Sequence, residues 1–206
     1  YSSSKGCSEL LTSSYRRSFL MGGKPFALAS GRAGNVIGGG DWALDRLIPD
    51  CVRALAKNDC VFIRNPLATR PWQHVLEPLT GYLLLGQHLW EDGEMYAKGY
   101  NFGPDVDLDV KVCEVAQKVA ELWGKGTVEV GSSDSLHEAT LLQLNIDKAK
   151  KELGFQPVWN ADEAIRYTTD WYKTFYNRSD DIKNFTKMQI NTFVKKAKAK
   201  QVKWSN

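Results

Sequence analysis

The chain has 206 residues, of which 43% are hydrophobic and 25% are charged. This is the composition of a folded globular protein, and it excludes a disordered chain, a collagen-like repeat and a small disulfide-stapled protein. The formal net charge of +3 is unevenly distributed, because residues 181–206 carry seven lysines and one aspartate. The remainder is net negative, so a nucleic-acid partner would depend on this C-terminal segment alone, and we expect none.

The sequence also predicts a cytoplasmic protein without membrane contact. No apolar run reaches the ~18 residues that a membrane-spanning helix needs, and no secretory signal pattern opens the chain. The cysteines are too widely spaced for a C-x-x-C pair, which is typical of reduced thiols in the cytosol (Cys7, Cys51, Cys60 and Cys113).

The first predicted element is an amphipathic helix that ends at Gly22-Gly23. Residue 1 is Tyr1 rather than methionine, and the helical pattern is already under way there. We therefore expect the sequence to be the C-terminal part of a longer chain.

Strands and helices alternate after this point. The predicted strands are 26–30, 61–63, 100–104, 128–130 and 142–144, with an extended stretch at 70–74 and a glycine-dense loop at 31–42. The predicted helices are 47–57, 76–91, 111–123, 147–153 with Asp147 as its N-cap, and 161–176. This alternation predicts an α/β fold with parallel strands.

The lysine-rich C-terminal segment shows no clean apolar stripe, because Ile182, Phe185, Ile190, Phe193 and Val194 are irregularly spaced. We expect it to be a solvated, partly helical appendage, with a contact to a partner, a nucleic acid or a membrane surface as the alternative.

Tyr1 and Lys5 stand four residues apart, on one face of the first helix. A phenol with its ordinary pKa near ~10 is a poor base, but a lysine ammonium close by favours the phenolate and lowers that pKa. Such a pair can accept an alcohol proton as hydride leaves the carbon. The pair alone is a weak signal, and two helix-surface residues are the plain alternative.

The glycine-dense loop does not match the G-x-G-x-x-G or P-loop patterns, but it follows a predicted strand. Ligands of open α/β sheets bind at the carboxyl ends of strands, so the loop and Asn35 are candidate ligand contacts. Arg46, Arg64 and Arg70 are candidate diphosphate ligands, because guanidinium groups match phosphate oxygens. The three histidines lack metal-ligand spacing, so no metal site is predicted.

Taken together and in order, these motifs resemble the extended short-chain dehydrogenase/reductase family over residues 1–176. They are Tyr1-x-x-x-Lys5, Arg32-x-x-Asn35-x-x-Gly38, Arg46-Leu47-Ile48-Pro49, Arg70-Pro71-Trp72-Gln73-His74-Val75, Asn101-Phe102-Gly103-Pro104 and Asp147-x-x-Lys150-x-x-Leu153-Gly154-Phe155-x-Pro157. Within the family, residues 34–50 and 64–85 are similar to the branch that acts on CDP-glucose.

The resemblance implies an NAD(P)-binding Rossmann-like fold, of which this chain holds the C-terminal portion of the doubly wound sheet and a smaller substrate-binding domain. The implied reaction is an NAD-dependent dehydration of CDP-glucose, with C4 oxidation, water elimination across C5–C6 and hydride return to C6. The implied enzyme is a homo-oligomer, a dimer or a tetramer.

The resemblance also implies roles for individual residues. Tyr1 and Lys5 are implied as the catalytic pair that also contacts the cofactor, and Arg32 as a further cofactor contact. The residues implied to bind the nucleotide diphosphate and base are Asn35, Arg46, Arg70, Asn101 and His137.

The implied domain organisation has three parts. Residues 1–38 and 75–103 are assigned to the NAD-binding domain, 39–74 and 104–177 to the nucleotide-sugar-binding domain, and 178–206 to the basic tail. The family's dinucleotide glycine motif, its catalytic Ser or Thr and its acid–base pair for water elimination are expected upstream of Tyr1.

Two alternatives remain open. One is a dTDP- or UDP-sugar 4,6-dehydratase or 4-epimerase of the same family. The other is a non-catalytic sugar-nucleotide-binding protein that keeps the fold, against which the presence of Tyr1 and Lys5 argues.

Overall fold

A computed structural model describes residues 2–20, 22, 26–105, 110–131 and 142–205. The helices are α1 (Ser2–Phe19), α2 (Leu47–Lys57), α3 (Leu76–Glu91), α4 (Gly93–Tyr96), α5 (Val112–Trp123), α6 (Asp147–Leu153), α7 (Ala161–Asn177) and α8 (Ile182–Ala199). The strands are β1 (Ser30–Ala33), β2 (Asn35–Ile37), β3 (Val61–Ile63), β4 (Thr69–Arg70), β5 (Trp72–His74), β6 (Gly99–Phe102), β7 (Val110–Lys111) and β8 (Val128–Val130). No helix within the described ranges combines the length and apolar character needed to cross a bilayer.

The strands form four pairs within the described residues. β1 pairs with β6, β2 with β5 and β3 with β8, all parallel, whereas β4 pairs with β7 in the antiparallel direction. Helices connect the parallel strands, as parallel pairing requires. The predicted α/β fold with parallel strands is confirmed.

Local signals explain where several helices begin and end. Pro49 stands in the first turn of α2, where its missing N–H costs nothing, and Asn58 ends that helix in the left-handed conformation (φ 61°). At the start of α7, the Asn160 side chain accepts from the backbone N–H of Glu163, and the Glu163 carboxylate accepts from that of Asn160. Gly154 ends α6 with φ 70°, as predicted.

The structure corrects the predicted strands and one predicted cap. Residues 26–29 have no regular structure, and β1 begins only at Ser30, so part of the predicted glycine loop is strand. Residues 142–144 form no strand. Asp147 is the first residue of α6 rather than its cap, because the side chain of Asn145 accepts the N–H of Asp147.

The core has two main parts. The larger part lies between α2, α5 and α7 and includes Val52, Leu55 and Val115, each fully buried. The second lies between α3, β6 and α6, where Tyr100, Phe102 and Phe155 are buried. These two parts hold the strand ends from which the cleft described below is built.

Helix α1 contributes no buried residue to either part. Polar contacts join it to β1 and the segment before it: Glu9 accepts from Ser30 (2.9 Å), and Arg16 donates to the Leu28 carbonyl (2.9 Å). Its apolar side chains are exposed (Leu10, Leu11, Tyr15 and Phe19).

The expectation of a solvated C-terminal appendage is wrong. Gln189, Phe193 and Ala197 form a buried stripe along α8, and Val202 behind it is also buried. This stripe packs against the buried Trp159, whose ring meets that of Phe193 edge-on at a centroid distance of 5.0 Å. The segment is therefore part of the folded core, although its other faces are lysine-rich.

Replacing Phe193 with alanine should test this packing. Phe193 is 2% exposed, and its removal should lower the free energy of unfolding by about 3–5 kcal/mol, because it leaves a cavity between α8 and Trp159. Urea unfolding measures this change. The control is Met188→Ala on the same helix. Because Met188 is 49% exposed, its replacement should change the free energy of unfolding by no more than about 0.5 kcal/mol. Equal small effects of the two variants would contradict the packing described here.

Candidate active-site cleft

A cleft of about 1360 Å³ lies beside the carboxyl end of β2 and the beginning of α2. Its walls come from residues 33–38, residues 45–51, β3 with the two residues after it, and Arg70. β2 and β5 are parallel, with Asn35 opposite Trp72. Residues of both strands and of the segments beside them therefore line the same cleft. This is the position at which ligands of α/β proteins bind.

Four of the candidate residues line this cleft: Asn35, Arg46, Arg64 and Arg70. They are separated by up to 35 positions in the sequence, and the fold brings them together. Three guanidinium groups and one amide form a donor set suited to phosphate oxygens.

The three arginines differ in how firmly they are held. Arg70 is 9% exposed and donates to the carbonyl of Thr69 (2.8 Å), so its guanidinium is held in the wall. Arg64 is exposed and pairs with Asp45 (3.1 Å), which adopts the left-handed conformation at φ 59°. Arg46 is exposed directly before α2. The cleft thus has one fixed guanidinium and two at its exposed surface.

Two other candidates, Arg32 and Asn101, do not line the cleft. They lie side by side in the β1–β6 register, where Arg32 pairs with Glu9 (3.6 Å). The side chain of Asn101 donates to the carbonyl of Asn145 (3.0 Å) and so joins β6 to the segment before α6. Lys5 lies on α1 one turn before Glu9, on the same helix face. Tyr1 and His137 lie outside the described residues.

Gln73, His74 and Glu77 form a buried polar layer at β5 and the start of α3, and sequence reasoning did not predict their burial. The Gln73 amide donates to the Phe102 carbonyl (2.8 Å), and His74 Nδ1 accepts from the N–H of Leu76 (3.3 Å). The Glu77 carboxylate accepts from the N–H groups of Val158 (3.0 Å) and Trp159 (2.7 Å). The available signal was the position of these polar residues within the apolar stretch 71–85.

Burial shifts the pKa values of two of these groups in opposite senses. It raises the pKa of Glu77 to about 7, although the two backbone hydrogen bonds and the nearby Lys200 act to lower it. It lowers the pKa of His74 to about 4, because the buried imidazole cannot be solvated when charged. At neutral pH His74 is therefore neutral.

These shifts predict a pH profile of stability for a Glu77→Gln variant. The contribution of Glu77 is complete below pH ~4.5 and is lost as pH rises through about 7, whereas that of His74 is complete above ~6.5 and is lost as pH falls through about 4. The two trends oppose each other between pH ~4.5 and ~6.5. Without Glu77, the free energy of unfolding should rise over this interval by about 2–3 kcal/mol more than in the wild type.

Urea unfolding at several pH values between these limits measures the difference. Glu121→Gln, at an exposed position of α5, is the control and should follow the wild-type profile. Parallel profiles of Glu77→Gln and the wild type would show that Glu77 does not titrate in this way.

Comparisons with known proteins were made for sequence and for fold. No family model matches the chain. The chain is 43% identical over 200 residues to CDP-glucose 4,6-dehydratase of Salmonella typhimurium (strain LT2), a match that covers 94% of this chain and 55% of the relative. The chain thus spans about half the length of the curated relative that it matches.

The fold is similar to those of solved nucleotide-sugar enzymes. A UDP-galactose 4-epimerase matches with a TM-score of 0.65 and 22% identity, over 82% of this chain and 52% of the epimerase. A dTDP-glucose 4,6-dehydratase from Bacillus anthracis, solved in complex with NAD, matches with a TM-score of 0.67 and 20% identity, over 84% of this chain and 52% of the dehydratase. Sequence and fold comparisons thus agree: the chain is similar in sequence to a CDP-glucose 4,6-dehydratase and shares the fold of solved nucleotide-sugar epimerases and dehydratases.

Proposed function

We propose that the protein catalyses the NAD-dependent dehydration of CDP-D-glucose to CDP-4-dehydro-6-deoxy-D-glucose. The observation that carries this proposal is the 43% identity to a CDP-glucose 4,6-dehydratase over 94% of the chain. The four free cysteines support a reducing, cytoplasmic location.

The cleft supports a nucleotide sugar as the ligand. Its volume of about 1360 Å³ is large enough to hold a nucleotide sugar. The diphosphate would lie against Arg46, Arg64 and Arg70, and the Asn35 amide would donate to the ligand. Asn101, which does not line the cleft, and His137, which lies outside the described residues, are proposed as further substrate contacts on the family resemblance alone.

The proposed catalytic pair is Tyr1, which lies outside the described residues, and Lys5 on α1. Tyr1 would accept the C4 hydroxyl proton, and Lys5 would hold Tyr1 in the phenolate form and bind the ribose of the nicotinamide nucleoside. The location of Lys5 is compatible with this role, because Glu9 on the same helix face joins α1 to β1 through Ser30 and Arg32. Arg32, at this junction, would contact the cofactor. NAD supplies, when bound, the hydride acceptor for C4 and the hydride that returns to C6.

We also propose that the protein assembles as a homo-oligomer, a dimer or a tetramer. Large apolar side chains are exposed along α1 and α3, including Leu11 (70%), Leu83 (75%) and Trp90 (91%). Apolar surfaces of this kind favour association.

The base is the feature that most distinguishes this proposal from other sugar-nucleotide reactions. A site that pairs with the cytosine amino group leaves a buried acceptor unsatisfied when uracil or thymine enters. Mismatches of this kind can discriminate by ~10⁴ in kcat/KM. We therefore expect strong selection for the cytidine nucleotide.

The decisive experiment incubates the native protein and NAD separately with CDP-, UDP- and dTDP-glucose and follows product mass. Loss of one water from CDP-glucose alone is the expected result. An unchanged mass with inverted C4, or a preference for another base, would show an epimerase or a dehydratase of another nucleotide. Ligand binding without turnover in the wild type would show a non-catalytic binding protein.

Tyr1→Phe should lower the rate by ~10²–10⁴ without affecting the fold, since it removes the proton acceptor.

Arg46 is an exposed arginine of the proposed diphosphate site. Arg46→Gln should weaken binding of cytidine diphosphate by about 10- to 100-fold, because a charge-assisted hydrogen bond contributes about 1.5–3 kcal/mol. Isothermal titration calorimetry measures this. Lys57→Gln, at the opposite end of α2, removes the same charge on an exposed site and should leave the affinity near the wild-type value. Equal weakening by both variants would mean that the effect is one of overall charge and that Arg46 makes no contact.

A further inference from the structure

One wall of the cleft, residues 38–41, packs against the aromatic side chain of Trp171 on α7. Gly38 and Asp41 line the cleft, and between them Gly39 lies directly on the indole of Trp171. A Cβ atom on Gly39 would lie 2.0 Å from Trp171 Cδ2, a distance that no side chain could accept. Gly40 follows with φ 87°, a conformation that favours glycine. The position of the indole therefore determines where this wall lies.

The next residue of α7 holds the same wall from a second side. The Tyr172 hydroxyl donates to the backbone carbonyl of Asp41 (2.5 Å). Trp42 then packs against the Tyr172 ring edge-on, with a centroid distance of 5.2 Å. Residues 38–42 are thus held to α7 by two ring contacts, Gly39 on Trp171 and Trp42 on Tyr172, and by one hydrogen bond. Arg53 of α2 also donates to the Trp42 carbonyl (3.1 Å).

The indole itself is oriented by the C-terminal helix. Trp171 Nε1 donates to the hydroxyl of Thr186 on α8 (2.8 Å), and the same hydroxyl donates to the carbonyl of Ile182 (2.8 Å). Because its one hydrogen is used within the helix, the Thr186 oxygen presents a lone pair to the indole. Phe175 stacks parallel to the indole at 5.6 Å, so the ring is supported on its face and at its nitrogen.

We propose that Thr186 is a positioning residue for the cleft: through Trp171 it sets the wall 38–41, so that α8 controls the affinity for the nucleotide sugar. The ligand part of this proposal rests on the proposed function. Thr186 touches neither the cleft nor any ligand group, and its effect passes through a single hydrogen bond. Loss of that bond removes the restraint on the indole nitrogen and loosens the ring against Gly39, and ligand binding must then order the wall again. A neutral hydrogen bond of this kind corresponds to an effect of about three- to ten-fold on affinity.

The test uses four variants in the native protein. Thr186→Val removes the acceptor with almost no change of shape, and Trp171→Phe removes the donor from the other side. Thr186→Ser keeps the hydroxyl and should restore wild-type behaviour. Gln189→Met is the matched control, because it removes another hydrogen bond between α8 and α7, that of Gln189 to the Tyr167 carbonyl (2.6 Å), away from the wall.

Two measurements distinguish the ordering of residues 38–42 from its effect on ligand affinity. Amide hydrogen exchange of residues 38–42 should become several-fold faster in Thr186→Val and in Trp171→Phe, and not in Thr186→Ser or Gln189→Met. Titration with cytidine diphosphate should show a three- to ten-fold weaker Kd in the same two variants. The double variant should bind no more weakly than Trp171→Phe alone, because without the indole nitrogen Thr186 has no bond to the ring left to lose.

The outcomes separate this inference from the proposed function. Equal exchange of residues 38–42 in Thr186→Val and Gln189→Met would overturn the positioning role, as would unchanged Kd values. A wild-type protein that does not bind cytidine diphosphate would contradict the proposed function and the ligand part of this inference. Hydrogen exchange would then still decide whether Thr186 sets the wall.

Discussion

The Glu77 carboxylate, buried to 1% exposure, is the interaction on which the rest of the structure depends. It accepts two backbone N–H groups from Val158 and Trp159, just before α7 begins. A buried carboxylate is unfavourable unless such donors satisfy it, so the position of this chain segment is tightly specified. The contact joins the start of α7 to α3, and α8 then packs on the other side of Trp159.

Helices were predictable from the sequence because their signals are local. Each signal lies within a few residues of the helix end that it defines: Pro49 in the first turn of α2, the Asn160–Glu163 capping pair at the start of α7, and Gly154 at the end of α6. The strands are two to four residues long, and their pairing joins positions tens of residues apart. Period-two patterns cannot develop over such lengths, which explains why β1 was expected several residues too early and why a strand was expected at 142–144.

The C-terminal segment escaped prediction for a different reason. Its buried stripe is regular, at intervals of four residues, but consists of Gln189, Phe193 and Ala197. A polar residue and a small one carry little hydrophobic signal, whereas the conspicuous Ile190 is 42% exposed. The stripe becomes visible only when Trp159 and Tyr167 are known to lie opposite it.

The candidate cleft residues were predictable as a set, but their separate environments were not. Arg70 is enclosed, whereas Arg64 is exposed and already has Asp45 as its partner. In the proposed complex a diphosphate would have to displace Asp45 from Arg64, so this guanidinium would exchange one oxyanion partner for another. Arg64 would then add less to the affinity than an arginine with no carboxylate beside it, because Asp45 competes with the diphosphate for the same donors.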